Sequence, residues 1–126
     1  MLKEFYNQKN AFIDSAGTAS YHIGRSPDPR SVLVAKEKGI DISNYKARKF
    51  IKEDFKKFDF IYVMDNSNFE NITNMADSKK NRDKVSLIHP LKKEVPDAYY
   101  GEKKDFKVCY SILENACNKI VRDLNL

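Results

Sequence analysis

Arg25, in the stretch "ASYHIGRSP", is the first residue whose setting suggests phosphate chemistry. A thiolate and a guanidinium can share one phosphate when they stand as Cys-x5-Arg. The thiolate attacks the phosphorus, while the arginine and the backbone N–H groups of the loop hold its oxygens. Counting back six positions from Arg25 gives Ala19, not a cysteine. The two cysteines of the chain are Cys109 and Cys117. Arg122 follows Cys117 by five positions, a Cys-x4-Arg spacing, and "CNKIVR" lacks the small residues that let N–H groups turn toward a phosphate. It is not a phosphate loop, and no cysteine precedes an arginine at the required spacing anywhere in the 126 residues. His22 and His89 are far apart in the chain, and with the two helical cysteines they make no metal-ligand set, so neither a metal nor a cofactor is expected.

The elements that must position such groups follow from periodicity and punctuation. "DFKVCYSILENACNKIVRDL" places Phe106, Cys109, Leu113, Cys117, Ile120 and Leu124 at spacings of three and four, one apolar stripe of a helix from about Asp105 to the end. Eight helical residues separate the two sulfurs by about 12 Å. That is too far for a disulfide, so both cysteines read as small core residues. "AFIDSAGT" reads as a short buried strand, Ala11 to Ser15, ending in a small-residue turn. "SPDPRSVLVAKEKG" reads as a helix, with Asp28 to cap it, Pro29 at its first position and Gly39 to close it. "GIDISNYKARKF" is a connector and "KEDFKKF" a helical turn. "FDFIYVMD" is a second strand, apolar almost throughout, as a parallel sheet requires. "NSNFENITNMA" is a helix with Phe69, Ile72 and Met75 on one face, and "KVSLIH" is a third strand. "PLKKEVPDAYYGEKKD" is a long loop with two prolines.

Strands alternating with helices predict a single α/β domain over residues 1–126, built on a mainly parallel sheet. Such sheets bind ligands beyond the carboxyl ends of their strands. The loops there are Ser15–Gly24, Asp65–Asn68 and the region after "KVSLIH". Lys and Arg number 23 against 18 Asp and Glu, a formal net charge of +5. The lysines lie in solvated stretches such as "KEDFKK" and "SKKNRDK" rather than in a basic helix interleaved with aromatics. Nucleic acid is therefore not an expected partner, while a mild attraction for anionic substrates is. "MLKEFYNQKN" has no apolar core, and the clusters "FDFIYVM" and "SVLVA" are too short to span a bilayer. No membrane association is expected, and a cytoplasmic location follows by default.

Four pieces, "IDSAGTASYHIGRSPDPRS", "KGIDISNYKARKF", "EDFKKFDFIYVMDNSN" and "PDAYYGEKKDF", together resemble the low-molecular-weight protein-tyrosine-phosphatases in order and spacing over nearly the whole chain. The resemblance implies a three-layer, flavodoxin-like α/β fold with helices on both faces of a mainly parallel sheet of order 2-1-3-4. It also accounts for Arg25: a loop like "DSAGTASYHIGRSPDPRS" lines the substrate mouth and never carried the nucleophile. In the family the Cys-x5-Arg-Ser loop follows the first, central strand. By that alignment it would precede Met1, in a segment on the order of 25 residues. The expected sheet thus lacks its central strand, between the Ala11–Ser15 and Phe58–Val63 strands.

By the same resemblance Asp97 in "PDAYYG" is the general acid, with Ala98 where the family usually has proline. Tyr99 and Tyr100 flank the mouth of the site, Tyr21 is the aromatic of the opposite wall and His22 follows it. Ser15 fits a serine that hydrogen-bonds back to the phosphate loop, Asp65 and Asn68 fit supporting polar positions, and Tyr45 stands where some relatives carry histidine. The activity implied is hydrolysis of phosphotyrosine, in a protein or as a small phosphomonoester, through a phosphocysteine. Without a nucleophile the 126 residues are expected to be inactive alone. Two alternatives remain at this point. One is a non-catalytic remnant that keeps the substrate wall and binds phosphoproteins or other anions. The other is an arsenate reductase on the same fold, which would use extra redox cysteines near "MDNSNFE", where this chain has none. The sequence sets no oligomeric state.

Overall fold

The computed structural model describes residues 12–18, 28–44, 46, 48–96 and 102–124. Its elements in chain order are α1 (Pro29–Glu37), α2 (Asp54–Lys57), β1 (Ile61–Val63), α3 (Asn66–Met75), α4 (Lys79–Arg82), β2 (Val85–Leu87) and α5 (Lys103–Leu124). β1 and β2 pair in parallel with Ile61 opposite Val85 and Val63 opposite Leu87, and α3 and α4 form the crossover between them.

Local chemistry explains where the helices begin and end. The Asp28 carboxylate accepts from the Arg30 N–H at 2.8 Å, and Pro29, which has no N–H to leave unpaired, opens α1. Gly39 closes it at φ +81°, where a side chain would be strained. The Ile40 N–H then reaches the Ala35 carbonyl and the Gly39 N–H the Lys36 carbonyl, the paired bonds of a Schellman ending. Ser78 caps α4 through the Asn81 N–H, and Asp65 caps α3.

Two apolar clusters hold the elements together. Val34, Ala35 and Ile40 pack against Phe106 and Tyr110, joining α1 to α5, and the Arg30 guanidinium lies 4.5 Å over the Phe106 ring. Phe50, Phe55, Ile61, Val63, Ile72 and Val85 form the second, joining α2 and α3 to the strands. Strand residues alternate between faces. Ile61 and Val63 face the second cluster, while burial and then the Asp123 carboxylate on α5 raise the Tyr62 pKa against the opposing pull of Lys119.

The strands differ from the sequence expectation. Residues 12–16 join no ladder; the first pairing is a single parallel bridge from Gly17 to Lys49. A strand needs a partner's N–H and C=O groups beside it, and no described residue offers them to 12–16. Phe12, 76 % exposed, instead stacks on Phe58 with ring centroids 5.6 Å apart. Ala11 lies outside the described residues. The Phe58–Val63 strand begins only at Ile61, where Val85 first stands opposite, and Phe60 before it is 54 % exposed. The third strand shortens to Val85–Leu87, because beyond Ile88 the chain turns through His89, whose Nδ1 accepts from the Leu91 N–H. Within "NSNFENITNMA", Ile72 is buried but Phe69 is exposed. On α5, Phe106, Cys117 and Ile120 are buried while Cys109, Leu113 and Leu124 are half-buried.

Candidate active site

Three separate stretches of chain meet at the carboxyl end of β1. The first is the strand's own exit. Asp65 turns the chain into α3, and its Oδ1 accepts from the Asn68 N–H at 2.7 Å. The second is the stretch before Pro96. Val95, 3 % exposed, donates its N–H to the Met64 carbonyl at 2.7 Å, and Glu94 Oε1 accepts from the Asn66 N–H at 3.0 Å. The first turn of α3 is thus capped twice, by Asp65 from the preceding residue and by Glu94 from across the fold. Both caps are acidic, which suits the positive end of a helix dipole. The third is the stretch after Ile13. Asn68 Nδ2 donates to Thr18 Oγ1 at 3.4 Å, a long bond that brings this wall to α3.

The wall itself is fastened from the other side. The Gly17 N–H donates to the Arg48 carbonyl, and the Gly17 carbonyl accepts from the Phe50 N–H, each at 2.8 Å. The Arg48 guanidinium donates to Asp14 Oδ2 at 3.1 Å and to both carboxylate oxygens of Asp54 at 3.0 and 3.2 Å. Asp54 is 2 % exposed and also accepts from the Ile51 N–H at 2.9 Å. Burial works against its charge, but the Arg48 guanidinium and the Ile51 N–H outweigh burial and hold the carboxyl below its ordinary pKa. Asp54 in turn raises the Arg48 pKa.

Of the residues singled out in the sequence, the structure brings Asp65 and Asn68 together with Thr18. Ser15 is exposed, three residues before Thr18, and its N–H donates to Asp14 Oδ1 at 2.8 Å. Tyr21, His22, Tyr45, Asp97, Ala98, Tyr99 and Tyr100 lie outside the described residues. Arg48 and Glu94 emerge only from the structure. Each bonds to groups far from it in sequence, and no local motif marks either. Two open surface clefts, of about 390 and 410 Å³, flank α1 and touch neither strand end, so neither is the candidate site. Among the described residues no three His, Cys, Asp or Glu side chains gather as metal ligands, and no helix is long and apolar enough to cross a membrane.

The chain as a whole is similar to known proteins. The chain is similar to a crystal structure of a protein tyrosine phosphatase from Entamoeba histolytica with Hepes in the active site, at a TM-score of 0.87 and 32 % identity, covering 98 % of this chain and 82 % of that one. It is also similar to Wzb of Vibrio vulnificus in complex with benzylphosphonate, at a TM-score of 0.86 and 27 % identity, covering 97 % and 84 %. The low molecular weight phosphotyrosine protein phosphatase of Sus scrofa is 38 % identical over 113 residues, which are 86 % of this chain and 71 % of the relative. The family model described as low molecular weight phosphotyrosine protein phosphatase matches residues 1–126. With its whole length matched, the chain belongs to the low molecular weight phosphotyrosine protein phosphatase family.

Proposed function

We propose that these 126 residues form a single domain carrying the substrate wall and general acid of a protein-tyrosine phosphatase. It acts on phosphotyrosine in a protein, or on a small phosphomonoester, once a Cys-x5-Arg loop is supplied by residues outside them. The observation that carries this reading is the convergence at the end of β1. The stretch leading to Tyr21 and His22 meets α3 through Thr18 and Asn68, and the stretch leading to Asp97 meets α3 through Glu94 and the end of β1 through Val95 and Met64. One helix start thereby joins the stretches that precede Tyr21 and Asp97, which in this reading stand on the two sides of a phosphotyrosyl ring.

In this reading the incoming cysteine thiolate forms an S–P bond as the P–O bond to the tyrosyl oxygen breaks. Asp97, as the carboxylic acid, gives its proton to the departing phenolate. It then takes a proton from the water that attacks the phosphocysteine, releasing inorganic phosphate and the thiolate. Tyr21, Tyr99 and Tyr100 flank the aromatic ring, where stacked or edge-on contacts are worth about 0.5–1.5 kcal/mol each. His22 follows Tyr21 in the chain, Ser15 in this reading supports the phosphate loop, and Asp65 and Asn68 hold the α3 turn. Asp97 assists a reaction that only a nucleophile can begin, so the 126 residues alone turn over no substrate.

The test joins the chain to a family-type strand and Cys-x5-Arg-Ser loop and measures phosphotyrosine hydrolysis. Asp97→Ala should then slow turnover by roughly 10²–10⁴, the usual worth of general acid catalysis. A variant within a factor of two of its parent would remove Asp97 from the mechanism.

A further inference from the structure

Glu94 makes a bond that local structure does not require. Asp65 already caps α3 through the Asn68 N–H, in the ordinary way, from the residue before the helix. Glu94 comes from 28 positions further along the chain and takes the Asn66 N–H, another of the donors that a helix start leaves unpaired. Beside it, the Val95 side chain is buried at 3 % exposure and its N–H is bonded to the carbonyl of Met64, the residue before the Asp65 cap. A side chain, a backbone N–H and a buried apolar group thus fix two consecutive residues to one strand end. Asp97 follows Val95 by two positions, and two residues of chain reach at most about 7 Å. Whatever holds Val95 therefore limits where the chain beyond it can carry a carboxyl group.

Resting on the reading of Asp97 as the general acid, we propose that Glu94 is a positioning residue for that acid. Its carboxylate holds the approach to Asp97 against the first turn of α3, so that the acid stays within reach of the leaving oxygen. Glu94 touches no substrate. Its effect is on how often the proton donor is in place, so it is felt in proportion to how much the leaving group needs a proton. Phenolate from phenyl phosphate is a poor leaving group and needs the proton. p-Nitrophenolate carries its own charge well and needs it little.

The experiment uses the form bearing Cys-x5-Arg and compares kcat/KM on phenyl phosphate and p-nitrophenyl phosphate. Glu94→Ala should lower the phenyl phosphate value about tenfold, part of the roughly 10²–10⁴ that a placed acid supplies, and the p-nitrophenyl phosphate value by less than about threefold. Glu94→Gln, which keeps an acceptor oxygen, should stay within a factor of two on both. Equal losses on the two substrates, or no loss, would overturn the proposal. Asp97→Asn is the control for the underlying reading: if it shows no leaving-group bias, Asp97 is not the acid, whatever Glu94 does. A second arm needs no turnover. In the 126-residue chain the Val95 amide order parameter should fall from about 0.85, the rigid value, toward 0.6 in Glu94→Ala and be restored in Glu94→Gln. An unchanged value in Glu94→Ala would equally overturn it.

Discussion

Replacing Arg48 by methionine isolates the clamp that ties Asp14 to Asp54. Methionine keeps the apolar stem but leaves the Asp54 carboxylate, at 2 % exposure, with the Ile51 N–H as its one remaining bond among those described. The stranded group has two ways out. It can stay charged and bear the desolvation that Arg48 offset, a loss of about 3–5 kcal/mol for a broken buried pair. Or it can take up a proton, which at pH 7 costs about 4 kcal/mol for a group whose free pKa is near 3.9. The cheaper route caps the loss. Arg48 is 34 % exposed, so water already screens part of the pair, and the expected destabilisation at pH 7 is about 2–4 kcal/mol. The signs then follow. In the parent the Asp54 pKa is lowered, so its stabilisation is present above the unfolded value of 3.8 and is lost as pH falls through the folded value. In the variant the pKa is raised by burial, so stability is kept at low pH and lost as pH rises. At pH 4.5 protonation costs only about 1 kcal/mol, and the gap between the two proteins should shrink to that size. Urea unfolding followed by circular dichroism at both pH values reads the difference, and the double variant R48M/D54N should recover most of it at pH 7. Equal losses at pH 7 and 4.5, or a loss below about 1 kcal/mol at pH 7, would refute the reasoning.

Among the described residues β1 pairs on one edge only, and Phe60, just before it, is 54 % exposed. Thermal unfolding of the 126 residues alone should occur well below about 60 °C, with light scattering rising through it, and a sharp cooperative transition of a monomer above that temperature would contradict this. Phe55, 2 % exposed and edge-on to Phe50 at 5.3 Å, sits at the middle of the second cluster. Phe55→Ala should cost about 3–5 kcal/mol in urea unfolding, and a loss below 1 would show that the site collapses around the gap.

What the sequence made legible was mostly local. Asp28, Pro29 and Gly39 bracket α1 because each acts on backbone groups within a few residues, and all three do so in the structure. The α5 stripe was readable for the same reason, although its half-buried members show that the helix offers a narrower face than six apolar positions suggest. Strand extent was not legible. Phe12, Phe58 and Phe60 have strand-forming side chains, but pairing depends on what lies alongside, and only Ile61–Val63 finds a partner ladder. α4 was missed because "KKNR" has no apolar period; its one turn exists through the Ser78 cap. In the site, Asp65 and Asn68 could be picked out from "MDNSN", which is a capping sequence. Glu94 and Arg48 could not, since their partners lie 28 positions away in one case and 34 and 6 in the other.

The most direct measurement is hydrolysis of phenyl phosphate, whose leaving group needs a proton, by the purified 126-residue chain and by the same chain joined to a Cys-x5-Arg-Ser segment, each with and without Asp97→Asn. The expected result is no turnover above the uncatalysed rate from the chain alone, and turnover that appears with the segment and falls when Asp97 is replaced. Turnover from the chain alone that survives Asp97→Asn would show that the chemistry resides elsewhere in these residues.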